Sequence, residues 1–116
     1  MSVTKVWVDA SSGDDAETCI IFKSGVLLKQ KIGSASATQA KFKAVIQALE
    51  ILGSEKHKKI LIYTDCNYLV ELFAKKWHAK SNSHKRLFNK AQHLKRKLNC
   101  DIVFMPTTTL RTYFAN

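Results

Sequence analysis

Two aspartates stand where chemistry is possible. Asp9 closes the run Val-Thr-Lys-Val-Trp-Val from Val3, and Asp65 closes Lys-Ile-Leu-Ile-Tyr-Thr from Lys59. In open α/β sheets, ligands gather outside the carboxyl ends of the parallel strands. If the two strands are neighbours, the two carboxylates lie side by side at that edge. Paired carboxylate oxygens are what a hard cation such as Mg²⁺ takes up, and two such ions can clamp the attacking and leaving oxygens of a phosphodiester. Each aspartate also has a plainer reading. Asp9 can open an Asx turn into Ser11-Ser12-Gly13, and Asp65 can cap the helix that follows it.

The elements that must position them follow from pattern. Residues 3–9 read as a strand, β-branched and aromatic. Ser11 to Asp15 reads as a polar loop, residues 18–23 as a second strand, Ser24-Gly25 as a hairpin turn, and 26–32 as a third strand. A small polar connection, Gly33 to Ala37, precedes a helix expected to start near Thr38 as N-cap and to end near Gly53. Its polar stripe is Lys43, Gln47, Glu50 and Ser54, and Val45, Ile46, Ala48, Leu49 and Leu52 are apolar. Residues 59–64 are nearly continuously apolar, as a central strand buried on both faces should be. Helices are expected over about 66–76 and 83–98, the second with Leu87, Ala91, Leu94 and Leu98 inward. A last strand runs from Asp101 to Met105 and stops at Pro106, leaving Thr107 to Asn116 as one helix turn or a frayed end. Tight turns make the first three strands antiparallel, and helical crossovers make the later ones parallel. The expected fold is an α/β mixed sheet, three antiparallel strands and then two parallel ones, flanked by helices in one domain spanning 1–116.

Three segments in this order carry a resemblance. Val6-Trp-Val-Asp9-Ala-Ser11 resembles the opening of ribonuclease H and its relatives. The run from Ala37 to Glu50, Ala-Thr-Gln-Ala-Lys41-Phe-Lys-Ala-Val-Ile-Gln-Ala-Leu-Glu, resembles that family's first helix. Ile62-Tyr-Thr-Asp65-Cys-Asn-Tyr-Leu-Val70 resembles its central strand and next helix, and Ile102-Val-Phe-Met-Pro106 is similar to its fifth strand. The resemblance covers nearly the whole chain and implies a ribonuclease H-like fold. It also implies a four-carboxylate centre, of which Asp9 and Asp65 match the first and third members. The second position, a glutamate in the family, is held by Lys41. The fourth falls near Tyr113, and no acid follows Asp101. Thr107-Thr108-Thr109 stands where the family has a histidine.

No other acid is well placed. Glu50 lies nine residues beyond Lys41, on the opposite side of the helix and about 13 Å along it at ~1.5 Å per residue. Asp14, Asp15 and Glu17 belong to the first loop. Lys41 shares a helix face with the apolar Val45, Ala48 and Leu52. Its ammonium is therefore expected at the mouth of the sheet, standing in for a cation and neutralising Asp9 and Asp65. With Thr38 as N-cap it would occupy the third helical position, against the helix dipole at a cost of about 0.3–1 kcal/mol. The plain alternative is a lysine bent outward to solvent.

Charge gives a second line of inference. The net charge is +10, and from Leu72 to Asn99 there are nine of the 19 Lys and Arg and no acid. Lys75, Lys76, Lys80, Lys85, Arg86 and Lys90 are candidate phosphate contacts, with Trp77 available to stack on a base or sugar. In the resembled family, a basic protrusion with tryptophan grips the DNA strand of a hybrid at this place. The plain alternative is a solvated helix face with Trp77 in the core. Base-independent, salt-sensitive binding is expected.

Composition narrows the remaining classes. At 46% hydrophobic and 24% charged the chain is an ordinary folding sequence. No apolar run reaches the roughly 20 residues of a membrane helix, and Met1 to Asp9 is not a signal peptide, so a cytoplasmic protein without a membrane partner is expected. Cys19, Cys66 and Cys100 form no CxxC pair and have no ligand spacing with the histidines, so they are read as reduced, mostly buried thiols. Three functions remain open: a nucleic-acid-binding ribonuclease H-like protein with little or no cleavage, a residual Mg²⁺- or Mn²⁺-dependent hybrid ribonuclease, and a structural or protein-interaction module. Leu110, Tyr113 and Phe114 are candidate surface for a homodimer or protein partner.

Overall fold

The computed structural model describes residues 3–53, 59–74, 79 and 81–114. Its elements are β1 (Val3–Ser11), β2 (Gly13–Phe22), β3 (Leu27–Ala35), α1 (Ala37–Leu52), β4 (Lys59–Thr64), α2 (Asn67–Phe73), α3 (Asn82–Arg96), β5 (Cys100–Phe104) and α4 (Thr107–Phe114). The sheet order is β3-β2-β1-β4-β5. β1–β2 and β2–β3 are antiparallel, while β4 runs parallel to both β1 and β5. This is the expected mixed sheet.

Burial follows from strand alternation. Even-numbered residues of β1, β2, β4 and β5 (Val6, Val8, Ile20, Ile60, Ile62, Ile102) form the core with Phe42, Val45, Leu49, Leu52, Leu69, Leu72 and Ala91. The inward row of α3 is as expected, with Ala91 buried and Leu87, Leu94 and Leu98 packed against the core. On the opposite face, Trp7 stacks on Tyr63 and on Tyr113 of α4, with ring centroids 5.7 and 4.5 Å apart.

Several boundaries differ from expectation. Ser11 to Asp15 is not a free loop: β1 extends to Ser11, and β2 begins at Gly13, which pairs with Ala35 of β3, while pairing with β1 runs from Glu17 onward. Polar residues here are strand residues at an exposed sheet margin, which composition alone reads as a loop. The Ser24-Gly25 turn is present, with Gly25 at φ 93° and the Phe22 N–H donating to the Val26 carbonyl at 3.0 Å. The α1 N-cap is Ser36, not Thr38. The Ser36 hydroxyl accepts from the Gln39 N–H, and the Gln39 side chain accepts from the Ser36 N–H, a complete capping box. The final segment is a two-turn helix, α4, held by buried Leu110. Of the cysteines, only Cys100 is buried; Cys19 and Cys66 are half-buried, and all three are free. Among the described residues, no helix is long and apolar enough to cross a membrane.

Candidate functional site

Asp9 and Asp65 come from adjacent parallel strands. Trp7 of β1 is the last residue to pair with β4, opposite Tyr63, and Asp9 and Asp65 each stand two residues beyond that pair, at the same end of the sheet. Their surroundings differ. The Asp65 side chain is only 4% exposed, and both its oxygens are engaged. Oδ1 receives the Lys41 ammonium at 2.5 Å, and Oδ2 receives the Thr107 hydroxyl at 2.8 Å. Asp9 is half-buried, and its Oδ1 accepts the N–H of Ala10 at 2.8 Å.

The observed cap, Ser36, lies two residues before the expected Thr38. Lys41 is the fifth helical residue rather than the third, and Val45, Ala48 and Leu52 on the same face are buried. One turn in, it has left the part of the helix where the dipole acts most strongly. Its side chain is 21% exposed, and its ion pair is with Asp65; neutralisation of Asp9 by the same ammonium is not part of the observed geometry. Residue type and spacing give Thr107 no partner, since its segment reads only as one helix turn or a frayed end; as the opening residue of α4 it ties that helix to the end of β4.

Other acids lie elsewhere. Glu50 is exposed and faces Lys90 of α3 at 3.8 Å. Asp14, Asp15 and Glu17 lie on β2. Among the described residues, no three His, Cys, Asp or Glu side chains gather as a metal site requires. Tyr113, the expected place of a fourth carboxylate, lies on Trp7. The buried Trp7 Nε1 has no hydrogen-bond partner among the described residues. Leu110 is 0% exposed, which corrects the expectation that it offers surface to a partner: the ridge of α4 that carries it packs on the sheet. Tyr113 is 40% exposed, and Phe114 is half-buried.

The basic candidates divide. Lys75, Lys76, Trp77 and Lys80 lie outside the described residues. Lys85, Arg86 and Lys90 are exposed on α3. The start of α3 meets the start of α1, where the Gln39 amide donates to the Ser83 hydroxyl at 3.2 Å. A groove of about 280 Å³ opens there between Ser34, Gln39, Lys43, Ser83, Arg86 and Leu87. Two cations and two hydroxyls around one groove suit a phosphate. In sequence Lys43 belongs to the polar stripe of α1, and its proximity to Arg86 is created by helix packing.

The comparisons with known proteins now decide the family. The model of the reverse transcriptase-like family matches residues 22–112. The chain belongs to this family, within the ribonuclease H-like superfamily. No curated protein sequence matches it. Among solved structures, ribonuclease H1 from the archaeon Halobacterium salinarum superposes with a TM-score of 0.80 at 20% identity, over 98% of this chain and 93% of that one. LC11-ribonuclease H1 in complex with an RNA/DNA hybrid gives 0.82 at 17% identity, over 94% and 89%. The N-terminal ribonuclease H domain of a Mycobacterium tuberculosis protein gives 0.80 at 19%, over 97% and 92%. At these identities the shared property is the ribonuclease H fold. In this ribonuclease H-like chain the end of the central strand carries an ion pair with Lys41.

Proposed function

We propose that the chain, residues 1–116, acts as one ribonuclease H-like domain that binds RNA/DNA hybrid or duplex nucleic acid and has little or no power to cut it. The observation that carries this reading is the Lys41 ammonium on Asp65. A divalent ion between the carboxylates would have to displace that ammonium and the Thr107 hydroxyl, and among the described residues it would find only Asp9 as a second acidic ligand. The residues therefore do not suit a resident Mg²⁺ or Mn²⁺. The grip has better support. Lys85, Arg86 and Lys90 are exposed on α3, and Lys43 and Arg86 flank a groove of about 280 Å³. A relative of the same fold is found with a hybrid bound. Contacts of this kind are to backbone phosphates, so affinity falls steeply with salt and depends little on sequence.

A second reading, residual metal-dependent cleavage, is favoured by the juxtaposition of Asp9 and Asp65. One experiment separates the two. A labelled RNA/DNA hybrid is incubated with Mg²⁺ or Mn²⁺, and the same hybrid is gel-shifted over a salt series, with Asp65→Asn beside the parent. Salt-sensitive binding without cleavage is expected. Cleavage that disappears in Asp65→Asn would overturn the non-cutting reading. Absence of binding would point to an interaction module instead.

A further inference from the structure

We propose that the outer edge of β3 takes up an extended acidic segment of a partner protein as a sixth strand. β3 is the terminal strand of the sheet, so among the described residues nothing pairs with its outer side. Over Leu27–Lys31 it is in unbroken register with β2, and the irregular pairing begins only beyond, toward Gly33 at φ 77°. A regular edge of this kind presents backbone donors and acceptors to any extended chain.

Alternation gives that edge two different faces. On the face away from α1, β3 presents Leu27, Lys29 and Lys31, all exposed; their cross-strand neighbours on β2 are Ile21, Cys19 and Glu17. On the face toward α1, it presents Leu28 and Gln30 beside an open cavity of about 300 Å³ lined also by Thr18, Ile20, Lys29, Gln47 and Ile51. The Thr18 and Gln47 side chains of that cavity are already engaged. The Thr18 hydroxyl bonds the Gln47 side-chain carbonyl, and the Gln47 amide donates to the Gln30 side-chain carbonyl at 2.8 Å. What remains for a guest is the apolar wall of Ile20, Leu28 and Ile51. Leu28 and Ile51 are 41% and 39% exposed, unusual for large aliphatic residues and here side by side.

An added strand would meet these faces in alternation. Its side chains on the cavity side would be aliphatic, and those on the other side would be carboxylates opposite Lys29 and Lys31. The same lysines argue against a second copy of this chain: antiparallel pairing of two β3 edges brings cations against cations, on a chain of net charge +10. The single Glu17 opposite Lys31 does not offset both.

The probe is a blocked eight-residue peptide of alternating leucine and aspartate. Binding to the full chain is followed by calorimetry, and the contact is located by amide hydrogen exchange. Added protection on Leu27–Lys31 is expected. Lys29→Glu combined with Lys31→Glu should weaken binding at least tenfold. The same loss should follow when the peptide, with the protein unchanged, is N-methylated at the residues that donate to β3. Four results would overturn the proposal: no binding at millimolar peptide, equal binding of the N-methylated peptide, protection confined to α3, or protection of Leu27–Lys31 by self-association or by a single-stranded oligonucleotide instead of the peptide.

Discussion

Replacing Lys41 with methionine removes the ammonium while keeping the aliphatic stem on the core-facing side of α1. The Asp65 carboxylate, 4% exposed, is then left with the Thr107 hydroxyl as its partner. Removing one partner of a fully buried ion pair costs about 3–5 kcal/mol, because the other charge is left desolvated. Water can approach from the Lys41 side, which is 21% exposed, so the lower end applies, about 3 kcal/mol. For a domain of this size that is a fall in Tm of about 10 °C. Urea unfolding measures it as a lower midpoint at unchanged m-value. Asp65→Asn alone should cost less, about 1–2 kcal/mol, since the amide oxygen still accepts from the lysine. The double variant Lys41→Met/Asp65→Asn should lie within about 1 kcal/mol of the parent, because no buried charge remains. If Lys41→Met lies within about 0.5 kcal/mol of the parent, or if the two single effects simply add, the pair is a surface contact in energetic terms. The claim that an ammonium has taken over the centre would then be refuted.

Three further outcomes are expected. In hybrid binding, Arg86→Ala and Lys90→Ala should each reduce the slope of log affinity against log salt by about 0.9, the value of one phosphate contact; unchanged slopes would remove α3 from the interface. Tyr113→Ala should cost about 1–2 kcal/mol through lost stacking on Trp7, and in a Trp77→Phe background it should shift the Trp7 emission to the red. Finally, burial pushes the Cys100 thiol up to about 11 and also raises the Cys19 thiol. Cys100 should therefore alkylate much more slowly in the native state than in the unfolded one at pH 8.5. Because its folded pKa is raised, its contribution to stability is fully present below pH 9 and is lost as pH climbs toward 11; a Cys100→Ala variant should lack that part of the alkaline decline.

Much of the fold was legible because periodicity reports burial directly. Lys59–Thr64, apolar at nearly every position, is β4 with the bounds its pattern marks, although it is next to the sheet edge and only every second residue is fully buried, so the expected burial on both faces is corrected. The α3 inner row was equally plain. Errors fell where local chemistry is ambiguous. Ser36 and Thr38 are both good caps, and only the reciprocal bond with Gln39 selects Ser36. Ser11 to Asp15 is polar because it lies at a sheet margin, not because it is a loop. Thr107–Phe114 became a helix because Leu110 and Tyr113 find the sheet to pack on, a partner that no local pattern records.

The same division holds for the site. By itself the sequence determined which acids exist, that Asp9 and Asp65 end two apolar strands, that Lys41 shares the buried face of its helix, and that the cations concentrate between Leu72 and Asn99. These follow from residue type and spacing along one element. Only the tertiary structure decided that Lys41 reaches Asp65 and that Thr107 closes the other oxygen. It alone brought Lys43 beside Arg86, and it left Leu28 and Ile51 facing an open edge. Each of those meetings joins residues from different elements, and the distance between elements is set by packing of the whole core rather than by either segment alone.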